Sequence, residues 1–163
     1  MNKLLVLGIG NMLLTDDGVG VFASQELMKE DWPEQVTIRE GGTFTQDIFY
    51  SFKGYSHLLV LDVVHCGGKP GTLYRLTEDA LIKDDKQRLS IHDIDLIVSL
   101  RMAEKLFGTK SELLVLGVEP KDYVTWNIGL SDDVRAVFPE FLALARKEIG
   151  EWLKRYGNEE TRA

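Results

Sequence analysis

The run His57-Leu58-Leu59-Val60-Leu61-Asp62-Val63-Val64 restricts the fold more than any other stretch of the chain. A strand with one face in water alternates between apolar and polar residues. A strand apolar at nearly every position must be covered on both faces, the signature of a parallel sheet with helices on either side. Leu4 to Leu7 is a shorter run of the same kind, and Glu112 to Val118 is another, ending in Glu119-Pro120. Val36 to Arg39 reads as a short strand. Thr72 to Leu76 alternates, as an antiparallel strand at an edge would.

Between the strands the apolar period changes from two to about 3.6. Val19, Val21, Phe22, Leu27 and Met28 mark one helix, and Phe44, Ile48, Phe49 and Phe52 a short one. Leu96, Ile97, Leu100, Ala103 and Leu106 mark a third. The last helix carries Val134, Val137, Phe138, Phe141, Leu142, Ala145, Ile149, Trp152 and Leu153 on one face, with Ser131 placed to cap it and Pro139 to kink its second turn. The stretch Thr77 to Leu89 is polar and charged, with Asp84-Asp85-Lys86 reading as solvated surface. These elements predict an α/β protein, a three-layer α/β/α sandwich around a mainly parallel central sheet with one antiparallel edge strand. Residues 1–157 form a single α/β domain in this reading, and 158–163 a polar C-terminal tail. A chain of 163 residues is long enough for one sizeable core.

Asp62 is the anomaly in the central run. A carboxylate inside or at the end of a doubly covered strand is costly unless it is paired, hydrogen-bonded or bound to a metal. At the end of a strand it also stands at the carboxyl edge of the sheet, where open α/β sheets bind their ligands. The first turn lies at the same edge: Gly8-Ile9-Gly10-Asn11-Met12-Leu13-Leu14-Thr15-Asp16-Asp17-Gly18-Val19-Gly20. Gly8-x-Gly10 after a first strand begins a dinucleotide fingerprint, but Leu13 stands where its third glycine or alanine belongs. Two carboxylates at a helix start would also repel a pyrophosphate. Glu40 lies beyond the expected spacing of about twenty residues for a ribose-binding acid. One of Asp16 and Asp17 is explained as a helix cap, whereas two in succession among glycines exceed what capping needs.

His92 precedes the helix through Leu96 and belongs to the same edge, so Asp17, Asp62 and His92 form a candidate convergent site. His65-Cys66-Gly67-Gly68 holds two metal-competent side chains, but adjacent residues rarely point the same way and the glycines suit a turn. The net charge of −7 disfavours nucleic acid and an anionic membrane as partners. A single cysteine, Cys66, excludes an intrachain disulfide and fits a reducing compartment. The apolar runs are too short to span a bilayer, and no cleavable leader opens the chain. A cytoplasmic monomer is expected.

The ordered motifs resemble those of the nickel-iron hydrogenase maturation endopeptidases. They are Gly8-Ile9-Gly10-Asn11 with Leu14-x-Asp16-Asp17-Gly18-Val19-Gly20, Glu40-Gly41-Gly42-Thr43, the strand ending at Asp62, and Pro70-Gly71-Thr72. Ser90-x-His92, Ser99-Leu100-Arg101, Gly117-Val118-x-Pro120 and Ile128-Gly129-Leu130-Ser131 continue the likeness to about residue 150. The resemblance implies an endopeptidase that removes a C-terminal extension from the precursor of a NiFe-hydrogenase large subunit. Nickel carried by that substrate would be the recognition signal and the metal of the site, which other divalent metals would also fit. It places metal contacts on Asp17, Asp62 and His92, catalysis on Asp17 and Asp62, and substrate binding on Glu40, Gly41, Gly42 and Thr43. Some members carry Glu in place of Asp17 and Asp in place of Glu40, which changes reach rather than chemistry. The mechanism is expected to be either aspartic-type or metal-assisted. Other classes open to these residues are a non-catalytic nickel-binding module, a nucleotide-binding oxidoreductase and a Cys66-dependent hydrolase.

Overall fold

The computed structural model describes residues 2–43, 46–83 and 91–158, for 46, 47 and 91–95 by backbone alone. Its sheet has five strands: β1 (Leu4–Ile9), β2 (Val36–Gly42), β3 (His57–Val63), β4 (Leu73–Thr77) and β5 (Glu112–Val118). Their order is β2-β1-β3-β5-β4, all parallel except β4, which runs antiparallel to β5 at one edge. The most apolar runs, β1, β3 and β5, are thus the three inner strands, because only inner strands are covered on both faces. The expected antiparallel edge strand is there, one residue later than its alternation suggested.

Four helices, α1 (Val19–Met28), α2 (Glu78–Ile82), α3 (Ile91–Phe107) and α4 (Asp132–Tyr156), complete the layers. Leu59, Leu61 and Val63 of β3 join Val19, Ala23 and Leu27 of α1 and Phe141, Ala145 and Ile149 of α4 in one core. On the opposite face Leu58, Val60 and Val64 pack with Leu96, Leu100 and Ala103 of α3 and with Phe49 and Phe52 of the 3-10 segment Gln46–Phe52. Each fully buried leucine or phenylalanine contributes about 2 kcal/mol, so both faces of β3 reward the same pairing register.

Ser131 caps α4 as expected, its hydroxyl accepting from the Val134 amide at 3.4 Å. The helix continues through Pro139 without interruption. The short helix expected at 44–52 is a 3-10 segment, with Phe44 outside the described residues. The polar stretch from Thr77 contains α2, started by the Thr77 hydroxyl accepting from the Ala80 amide at 3.3 Å, while Asp84-Asp85-Lys86 lie outside the described residues. Its five residues are too few for a periodic signal. Of the tail expected at 158–163, residues 159 onward lie outside the described residues. Among the described residues no helix is long and apolar enough to cross a membrane.

Candidate functional site

Backbone approaches that only glycine permits build the turn after β1. A Cβ at Gly8 would fall 2.2 Å from the Gly20 carbonyl oxygen. A Cβ at Gly20 would fall 2.0 Å from the Leu61 oxygen and 2.6 Å from the Ile9 oxygen. The start of α1 therefore presses directly on the carboxyl ends of β1 and β3. The 3-10 turn Thr15–Gly18 just before it packs on the end of β3 as well. The backbones of Asp17 and Asp62, distant in sequence, are brought to the same edge of the sheet by this route.

The adjacent aspartates have separate roles, and neither caps a helix. The N-cap of α1 is Gly18, with no side-chain cap, which corrects the expectation of an aspartate cap. Asp16 is fully buried. Its Oδ2 accepts from the Lys121 amide at 2.9 Å, the Asp122 amide at 3.0 Å and the Ser131 hydroxyl at 2.8 Å, and its Oδ1 from the Ser131 amide at 2.8 Å. Four donors compensate the desolvated charge and fix the loop 121–131. Asp17 is half-buried, and its Oδ2 accepts from the Asn11 amide at 2.9 Å.

Asp62 is 2% exposed, and its Oδ1 accepts from the Val63 amide at 2.7 Å. Strand alternation puts it on the face of Val60 and Val64, the face that α3 covers. Gly117 is its register partner on β5, and a Cβ there would lie 2.0 Å from Val64 Cγ2. His92 is the second residue of α3, and its side chain lies outside the described residues, as does Ser90. The end of α3 at Phe107 leads within four residues to the start of β5, so α3 begins at the opposite, carboxyl edge. The backbone thus puts His92 at the edge, and on the covered face, shared by Asp62.

Glu40, Gly41 and Gly42 end β2 beside the same turn, and Thr43 follows. Gly41 is an extra residue in the register with β1, and the Gly10 amide donates to the Gly42 carbonyl at 2.9 Å. Glu40 and Thr43 are exposed at the rim. Gly42 has φ 56°, the left-handed region that favours glycine.

A third carboxylate at this edge was not singled out from the sequence. Glu119 is buried directly after β5, and its Oε2 accepts from the Cys66 amide at 2.9 Å. It anchors the loop that leaves β3, which leaves Cys66 a loop residue. The signal that marked Asp62, a carboxylate closing a buried strand, was equally present at Glu119. Burial, reinforced by the Glu119 charge, holds the neighbouring Tyr74 phenol above its ordinary range. Among the described residues no three metal-competent side chains form a cluster. Carboxylate oxygens such as those of Asp17 and Asp62 are of the donor type that borderline divalent metals accept.

Comparison with known proteins gives one consistent result. The family model HycI, hydrogenase maturation protease, matches residues 21–148. The hydrogenase expression/formation protein HupD of Bradyrhizobium diazoefficiens is 30% identical over 153 residues, 93% of this chain and 80% of its own length. The hydrogenase 2 maturation protease of Escherichia coli is 29% identical over 140 residues, 83% of each chain. The solved structure of the hydrogenase maturating endopeptidase HybD from E. coli superposes with a TM-score of 0.80 at 27% identity, over 91% of this chain and 93% of that one.

Proposed function

The chain belongs to the hydrogenase maturation protease family, and from that premise we propose that it removes the C-terminal extension from the nickel-loaded precursor of a NiFe-hydrogenase large subunit. The observation that carries the reading is the buried Asp62 carboxylate closing the central strand, beside the glycine-built turn that holds Asp17. Asp17, Asp62 and His92 engage the nickel of the precursor, which is part of the substrate, and so position the scissile peptide along the carboxyl edge. Glu40, Gly41, Gly42 and Thr43 border the path of the extended tail.

Hydrolysis requires a water relieved of a proton and a stabilised oxyanion. Asp17 or Asp62 serves as general base in an aspartic-type route. In the metal-assisted route the substrate nickel polarises the carbonyl and acidifies the water. Either route needs the Asp62 carboxyl held in place, as the Val63 amide holds it. The chain acts as a cytoplasmic monomer in this reading, consistent with its acidic charge and single cysteine.

The test is processing of a cognate precursor with and without nickel by the wild-type protein and an Asp17→Asn variant. Cleavage of the loaded precursor alone, reduced at least about 100-fold in the variant, is the expected result. Cleavage of both precursor forms would remove nickel as the signal. Absence of cleavage by the wild type would remove the peptidase reading and favour a nickel-binding module.

A further inference from the structure

Outside the candidate site, the least expected surface of the molecule is the loop between β5 and α4. Its large apolar side chains point outward: Trp126 is 75% exposed, Ile128 71%, Val124 70% and Tyr123 47%. Leu13, 45% exposed, belongs to the same surface, because the Asn127 amide donates to the Leu13 carbonyl at 2.9 Å and the Thr15 amide to the Asn127 carbonyl at 3.0 Å. Monomeric proteins seldom display so many neighbouring large apolar groups unless something covers them.

The loop is held in place from several sides. The buried Asp16 carboxylate takes the amides of Lys121, Asp122 and Ser131. The Thr15 hydroxyl donates to the Thr125 carbonyl at 2.8 Å, and Thr15 itself is held at φ 50°, a costly conformation for a β-branched residue. Hydrogen bonds from Thr125 and from the Val124 amide keep the Asp122 carboxyl below its ordinary range and tie the loop's own turn. The Tyr123 ring meets the His65 ring edge-on at 4.6 Å. A buried charge and a strained residue therefore hold a loop that packs Leu130 on the core and caps α4 with Ser131, while Tyr123, Val124, Trp126 and Ile128 are turned to solvent.

The position of the patch identifies its occupant. Leu13 lies four residues before Asp17 on the same turn, and Tyr123 rests on His65, three residues after Asp62. A protein that delivers a peptide to that edge has this loop beside it. We infer that Leu13, Tyr123, Val124, Trp126 and Ile128 form the docking surface for the folded body of the precursor, separate from the groove that takes its tail. This rests on the peptidase reading above. The surface matched is apolar, with a central pocket for Trp126 and a basic rim, since Asp122, Asp132 and Asp133 outnumber Lys121 and Arg135 around the patch. Aromatic anchors of this kind carry most of the energy in protein interfaces.

The experiment compares processing of the nickel-loaded precursor by the wild type, a Trp126→Ser/Ile128→Ser double variant and a Leu106→Ser control. Leu106 is 61% exposed near the end of α3, at the opposite edge of the sheet. The expected result is a rise of roughly tenfold or more in KM for the double variant, with kcat within about twofold and the control unchanged. An unchanged KM, or a loss confined to kcat, overturns the docking surface while the peptidase reading stands. A wild type that does not process the precursor overturns the peptidase reading first. Sedimentation supplies the remaining outcome: a wild-type dimer that becomes monomeric in the variant with KM unchanged makes the patch a self-association face and overturns the inference. Both substituted side chains are exposed, so the fold survives their loss, and matching melting curves verify it.

Discussion

The two ends of β3 are built to opposite plans. At its amino end the His57 ring sits 4.6 Å from the Tyr156 ring and 5.8 Å from Trp152, with Nε2 3.2 Å from Glu112 Oε2. Arg75 pairs with Glu148 at 2.6 Å beside it, around a cleft of about 130 Å³. At the carboxyl end there are glycines in close backbone contact, the buried carboxylates Asp16, Asp62 and Glu119, and an exposed apolar loop. The amino end has a concavity walled by aromatic rings and the Arg75–Glu148 ion pair, with the buried Trp152 Nε1 left without a hydrogen-bond partner among the described residues. The carboxyl end has desolvated charge held in place by backbone donors. Concavity does not separate the two ends, since a cleft of about 560 Å³ lined by Thr15, Asp122 and Ser131 lies at the carboxyl end; the placement of costly buried charge does.

If that division holds, the largest effect comes from Asp62→Asn. The amide oxygen still accepts from the Val63 amide, so melting should move little, while precursor processing should fall about 1000-fold in kcat/KM. Processing at the wild-type rate would break the comparison at once. Trp152→Ala is the mirror experiment. Trp152 is 8% exposed in the core under α4, and its truncation should cost about 3 kcal/mol in denaturant unfolding and leave kcat/KM unchanged where the variant is folded. An equal loss of activity would mean that the two ends are coupled.

The smallest effect is in the pH dependence of stability. Desolvation lowers the His57 pKa below its ordinary 6.5, against the opposing pull of Glu112. The unfolded chain then binds the proton more readily than the folded one. Stability from this group is complete above pH 6.5 and declines as pH falls below it toward the lowered folded value. A His57→Gln variant should lose this part of the slope, as read from melting temperatures between pH 5 and 8, and processing measured at neutral pH should be indifferent to the change.

Much of the carboxyl end was legible in the chain because its signals are local. Asp62 stood out as a carboxylate in an apolar run, and the glycines of the first turn announced a close backbone approach. Glu119 carries the same mark as Asp62, a carboxylate closing an apolar strand. Nothing local in two adjacent aspartates says which will turn inward, and only the family resemblance singles out Asp17. The partners that separate them, Lys121, Asp122 and Ser131, lie more than a hundred residues away.

The apolar runs, their lengths and the change of period between them were enough to determine a parallel sheet covered on both faces, since burial responds to patterning that the chain carries within each element. Which strands became neighbours and which aspartate was buried were decided only in the folded molecule. Those outcomes depend on contacts between segments far apart in sequence. A desolvated carboxylate is tolerable only where distant backbone donors converge on it, and convergence is a property of the assembled structure.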